Sequence, residues 1–83
     1  MKTEFITFRS ITLAQHGQRV LQKAGMEVIL QRTPRPMAER GCGYCLRLRP
    51  EDLMRAVERL RKENIAFSKV YATTGDRLEE RVL

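Results

Sequence analysis

The 83-residue chain has no tryptophan, only three phenylalanines and two tyrosines, and a single histidine. So few aromatic rings argue against a binding surface on which rings stack. The chain also has no uninterrupted apolar run as long as the core of a signal peptide, and none near the ~20 residues of a membrane span. We therefore expect a soluble, cytoplasmic protein whose thiols are kept reduced.

The recognisable constellations of catalysis are missing as well. We find no base beside a nucleophile, no glycine loop that would cradle a phosphate and no pair of carboxylates at a useful spacing. We therefore expect that the protein is not an enzyme. A net charge of +6 predicts an acidic partner, which could be nucleic acid, an anionic ligand or an acidic protein.

The apolar fraction of 42% is enough for one modest core, which indicates a single small domain. Residues 4–9 are typical of a strand, and Ser10 is a plausible N-cap for the helix that follows through Lys23. Gly25 suits the end of that helix, while Gly17 within its apolar stripe predicts close packing on a sheet. Residues 26–32 and 44–49 predict two further strands.

In the third strand the alternation places Tyr44, Leu46 and Leu48 on one face. Pro50 then opens a second helix, whose predicted buried stripe is Leu53, Ala56, Val57 and Leu60. Residues 65–73 predict a last strand. The order predicts an α+β, ferredoxin-like βαββαβ sandwich with a four-stranded antiparallel sheet and two helices on one face. We expect this domain in residues 1–73, followed by a charged tail in residues 74–83 that forms at most a helical turn.

Both cysteines lie at the connection between the second and third strands, in or next to the segment "TPRPMAERGCG". That connection is about twice the usual two to five residues of a hairpin, and long loops are often functional. Gly41 and Gly43 flank Cys42, which should let the backbone turn and leave the thiol open. We therefore predict that Cys42 is a reactive thiol.

Four arginines surround the cysteines in sequence. Arg35 and Arg40 share the loop, and Arg47 and Arg49 follow on the third strand. Nearby cations lower the pKa of a thiol and would also stabilise an anionic persulfide or selenopersulfide. The alternative is that these arginines are solvated charges and that a free cysteine is an inert small residue.

Cys45 lies one step into the strand, on the face of Arg47 and Arg49. It could be a resolving thiol or a small residue on that face. A dithiol redox pair normally opens a helix, whereas "CGYC" opens a strand. Cys42 and Cys45 could also form half of a tetrahedral zinc site that a dimer would complete, although we expect no metal. We interpret His16 as a surface residue of the first helix.

The chain resembles the putative selenium/sulfur carrier protein-like family of small bacterial proteins. The resemblance extends to about residue 71 and rests on "TFRS", "KAG", "TPR", the pair Cys42–Gly43 and "RPEDL". It implies that Cys42 carries persulfide-type sulfur or selenium from a cysteine desulfurase-like donor to an acceptor protein, without a cofactor. By position, Thr33, Pro34 and Arg35 would form the opposing rim of the loop. An additional Cys45 could attack a Cys42 persulfide and release sulfide or selenide.

Two other functions are compatible with the sequence. A basic four-stranded sheet is similar in outline to an RNA-recognition module, but "YCLRLR" lacks the aromatics that stack bases there. An anion-binding adaptor with incidental cysteines is the other possibility. The exposed edge strands of such a sheet would also allow a homodimer.

Overall fold

A computed structural model describes residues 2–35, 43–75 and 77–81. The chain forms an α+β domain in which one antiparallel sheet has the strand order β2-β3-β1-β4-β5. The first four strands keep the ferredoxin-like order, and β5 extends the sheet beyond β4. The elements are, in chain order, β1 (Lys2–Phe8), α1 (Ile11–Lys23), β2 (Val28–Arg32), β3 (Tyr44–Leu48), a 3₁₀ turn (Pro50–Asp52), α2 (Leu53–Lys62), β4 (Val70–Thr74) and β5 (Arg77–Arg81).

The ends of α1 are set by the residues that the sequence indicated. The backbone N–H of Leu13 donates to the Ser10 side chain at 3.2 Å, which satisfies one of the free donors of the first turn. Gly25 has a φ of +87°, a conformation that glycine adopts without the cost that a Cβ imposes. The prediction of this helix is confirmed.

The main core lies between the two helices and one face of the sheet. Its α2 side consists of Leu53, Ala56, Val57 and Leu60, as predicted. The β3 side consists of Leu46 and Leu48, with Tyr44 packed at the edge. The alternation of β3 is therefore confirmed. Neither α1 nor α2, the helices within the described residues, is long and apolar enough to cross a membrane.

The prediction was wrong about the end of the chain. The last predicted strand begins at residue 70 rather than 65, and the two residues just before it hydrogen-bond to Thr7. Ser68 N–H donates to the Thr7 carbonyl at 2.7 Å, and Lys69 N–H donates to the Thr7 hydroxyl at 3.0 Å. Within the described residues the sheet has five strands, not four, since residues 77–81 pair antiparallel with β4 where a helical turn was expected.

At Gly17, α1 packs closely against the sheet and against α2. A Cβ there would lie 3.2 Å from Phe8, 3.3 Å from Leu60 and 3.4 Å from Leu46. We expect Gly17→Val to lower the free energy of unfolding by about 2 kcal/mol, because its methyl groups cannot fit without moving these fully buried side chains. Urea unfolding measures the loss.

Gln15→Val supplies the matched control, since Gln15 is exposed on the same helix. That change should cost less than about 0.7 kcal/mol, the ordinary range of helix propensity. Equal losses at the two positions would show that packing at Gly17 does not matter.

Candidate functional site

The loop that contains Cys42 starts and ends at adjacent points of the sheet. Thr33 N–H donates to the Gly43 carbonyl at 3.0 Å, which continues the β2–β3 ladder one step beyond the pair Arg32–Tyr44. The base of the loop is therefore a regular hairpin end. Cys42, Arg40 and Gly41, three of the predicted site residues, lie outside the described residues.

The described part of the predicted rim is partly open. Thr33 and Pro34 are half-buried and Arg35 is exposed. Gly43 is exposed and has no left-handed φ, and a Cβ there would meet no atom of the described residues within 4 Å. The backbone at Gly43 thus does not itself require glycine. The residue directly after Cys42 is therefore exposed.

Cys45 lies in a second, smaller core on the sheet face opposite the helices. It is fully buried and packs with Phe5, Tyr71 and Leu78. Burial raises the pKa of the Cys45 thiol from about 9 to about 11, although the Thr33 hydroxyl and the charge of Arg47 each lower it. Burial outweighs the cation. Cys45 is therefore a neutral thiol at neutral pH.

Thr33 contributes to this environment from the end of β2. Its hydroxyl oxygen is buried, and no residue in the described part of the chain hydrogen-bonds it with ordinary geometry. The hydroxyl is therefore available to donate to an ionised Cys45, consistent with its effect on the pKa. Thr33 thus joins the loop to the second core, a link that its position in the sequence did not indicate.

The structure separates the described arginines of the predicted cluster between the loop and the opposite end of β3. Arg35 is at the loop, whereas Arg47 and Arg49 are two and four residues beyond Cys45, or about 7 and 13 Å along an extended strand. Arg47 is exposed on the face of Cys45. Arg49 lies past the end of β3, with its Nε 3.5 Å from an Asp52 carboxylate oxygen. These two arginines therefore belong to the opposite end of β3 from the loop.

The aromatic rings on the Cys45 face of the sheet bear on whether this face could stack nucleic-acid bases. Phe5 and Tyr71 lie at paired positions on the neighbouring strands β1 and β4, on the sheet face opposite the helices, which is the face on which an RNA-recognition module stacks bases. Here they are 7% and 6% exposed. Sequence reasoning missed that these rings cover Cys45, although the alternation of Phe5 with Ile6 in β1 places Phe5 on that face.

A metal site is not assembled by the described residues, which include no group of three or more histidine, cysteine or acidic side chains that could hold an ion. His16 is exposed on α1. The remaining predicted half-site depends on Cys42. The half-site stays a prediction from the sequence.

Searches among curated proteins and among solved structures returned no significant match. A family model described as "Putative Se/S carrier protein-like" matches residues 4–72. The match runs from β1 through β4 and includes the whole loop between Thr33 and Gly43, together with both cysteines. The chain therefore belongs to the Se/S carrier protein-like family.

Proposed function

We propose that the protein is a non-enzymatic carrier that holds sulfur or selenium on Cys42 between a desulfurase-like donor and an acceptor protein. The family match supports a carrier role, and it spans the cysteine-bearing loop. One structural observation supports Cys42 as the carrier residue: the other cysteine, Cys45, is fully buried and has a raised pKa. Only one of the two cysteines then remains as a candidate nucleophile.

The proposed step is a thiol–persulfide exchange. The Cys42 thiolate attacks the outer sulfur of the donor's persulfide, a new S–S bond forms on Cys42, and the donor's S–S bond breaks. The donor leaves as its thiolate, so one sulfur atom moves and no external oxidant or reductant is consumed. A selenopersulfide would deliver selenium in the same way, and attack by an acceptor thiolate on the outer atom would unload the carrier.

The sealed state of Cys45 supports carriage over immediate release. A resolving thiol must ionise and reach the inner sulfur of the persulfide before it can expel sulfide. Cys45 is neutral at neutral pH and lies among Phe5, Tyr71 and Leu78. We therefore assign Cys45 a packing role in the resting protein. The exposed Arg35, at the described rim of the loop, is the cation that we assign to the anionic adduct.

Intact-protein mass spectrometry after incubation with a cysteine desulfurase and cysteine tests the carrier function. We expect the wild-type chain to gain the mass of one sulfur atom, reversed by a reductant. Cys42→Ser should abolish the gain, because serine cannot form a persulfide. Cys45→Ala should retain it.

The outcomes separate the competing functions. A wild-type chain that gains no mass would remove the carrier proposal. Salt-dependent RNA retention by the wild type and by Cys42→Ser alike, without any mass gain, would instead support a nucleic-acid-binding module. A mass gain that persists in Cys42→Ser and is lost in Cys45→Ala would assign the role to the buried thiol.

A further inference from the structure

A groove lies at the end of the sheet where β3 ends and β1 and β2 begin. Its charged lining consists of Lys2, Arg47, Arg49 and Glu27, and its apolar lining of Ile29 and Leu48. Among the described lining residues there are therefore three cations and one carboxylate. This end of β3 is about 13 to 20 Å along the strand from Gly43, at the base of the loop.

Ile29 gives the groove an apolar anchor. It is 44% exposed on β2, an edge strand of the sheet, and it pairs with Arg47 across the β2–β3 ladder. A large aliphatic side chain between exposed arginines is suited to a partner side chain that is itself apolar and flanked by acids. The aliphatic stems of the arginines would extend the apolar floor.

Most of the cations of the groove form no ion pair with the described residues. Among the described residues neither Lys2 nor Arg47 has an ion-pair partner within 4 Å. The Nε of Arg49 lies 3.5 Å from an Asp52 carboxylate oxygen. Because this contact uses Nε, the two terminal nitrogens of Arg49 are able to donate hydrogen bonds to another group. Exposed guanidinium groups of this kind bind carboxylates through paired hydrogen bonds.

We propose that this groove docks an acidic segment of a partner protein, with an apolar residue of that segment packed on Ile29. The proposal rests on the carrier function proposed above, because a carrier must hold its donor and acceptor while its loop enters their sites. Docking at the far end of β3 leaves the loop end of the sheet clear for sulfur transfer. An acidic peptide fits better than RNA, since the groove offers an aliphatic anchor and, among its described lining residues, no aromatic ring on which a base could stack.

Fluorescence polarisation tests the groove with a labelled peptide in which glutamates flank a single leucine. We expect the double variant with Lys2→Glu and Arg47→Glu to bind at least about tenfold more weakly than wild type, since both charges then repel the peptide. Ile29→Ser should weaken binding about threefold, as should replacing the peptide's leucine by alanine. Circular dichroism confirms that the variants are folded.

The matched control is a double variant with Arg19→Glu and Lys23→Glu, which reverses two exposed charges on α1 and changes the net charge by the same amount. It should change the affinity less than about twofold, because long-range charge effects are screened in physiological salt. An equal loss in this control variant would mean non-specific attraction and would overturn the proposal. Tighter binding of an RNA oligonucleotide than of the peptide, lost in the same double variant, would overturn it in favour of nucleic acid.

A loading experiment separates this proposal from the carrier function. With a small-molecule persulfide as the donor, the double variant should load Cys42 as fast as wild type, whereas loading from the desulfurase should slow about tenfold. If the double variant loads from the desulfurase as fast as wild type does, the docking role is removed. Failure of the wild type to load from either donor would remove the carrier function, whatever the peptide result.

Discussion

Iodoacetamide should alkylate Cys45 in the folded Cys42→Ser variant at least about a hundredfold more slowly than in the same variant unfolded in urea, at pH 8. The pKa of Cys45 rises from about 9 to about 11, so the reactive thiolate is about a hundred times scarcer in the folded chain. Full burial behind Phe5 and Tyr71 slows the reaction further. Mass spectrometry of quenched samples gives both rates.

The same thiol should make stability depend on pH in the alkaline range. The folded state holds the Cys45 proton more tightly than the unfolded state. The contribution of the protonated thiol to stability is therefore complete below pH 9 and is lost as pH rises towards 11. The two pKa values, about 9 in the unfolded chain and about 11 in the folded one, limit the loss in the free energy of unfolding to about 3 kcal/mol. Urea unfolding of Cys42→Ser at pH 8 and near pH 10.5 measures it.

Cys45→Ala in the Cys42→Ser background is the control for both measurements. It removes the buried thiol and leaves every other side chain in place, so the difference between the two variants isolates Cys45. An identical pH dependence in the two would contradict a buried, protonated thiol. Alkylation of folded Cys45 at nearly the unfolded rate would do the same, and would reopen its role as a resolving thiol.

Local patterns predicted much of the fold because they are properties of a few neighbouring residues. The α2 stripe, from Leu53 to Leu60, follows from helical period alone, and the Ser10 cap needs only the next three residues. The faces of β3 follow from its alternation. Each of these elements buries the residues that its own sequence marks as apolar.

The rest depends on contacts between distant parts of the chain. Alternation shows that Cys45 faces away from the helices, but not that Phe5 and Tyr71 seal it there. Proximity in sequence grouped Arg35, Arg47 and Arg49, whereas an extended strand separates them by several residues' rise. The segment "RLEER" of β5 is too charged to be recognised as a strand from its own composition, so its pairing with β4 was missed.

A buried ion pair explains why that charged segment joins the sheet. Glu4, on β1, is fully buried, and Arg81, on β5, reaches it with two nitrogens at 3.0 and 2.9 Å. The two residues are 77 positions apart and bracket β4, which lies between their strands. The pKa of Arg81 is raised, chiefly by its hydrogen bond to Glu4 and then by the Glu4 charge.

Removing Arg81 should therefore destabilise the domain strongly. Arg81→Gln leaves the buried Glu4 carboxylate without its cation, which costs about 3 kcal/mol, out of a total of roughly 4 to 12 kcal/mol for a domain of this length. Arg77→Gln, an exposed arginine at the other end of β5, should cost less than about 0.5 kcal/mol. Urea unfolding measures both variants, and similar losses would contradict a specific role for Arg81.

Glu4→Gln in the Arg81→Gln background should recover at least about half of the loss, because a neutral amide is far cheaper to bury than an unpaired carboxylate. The same logic applies to a chain that ends after residue 74, which lacks β5 altogether. We expect that shortened chain to be largely unfolded with Glu4 and measurably more stable with Glu4→Gln. A shortened chain as stable as the full one would show that residues 75–83 are an appendage to a domain complete without them, because neither the ion pair nor the fifth strand would then contribute to its stability.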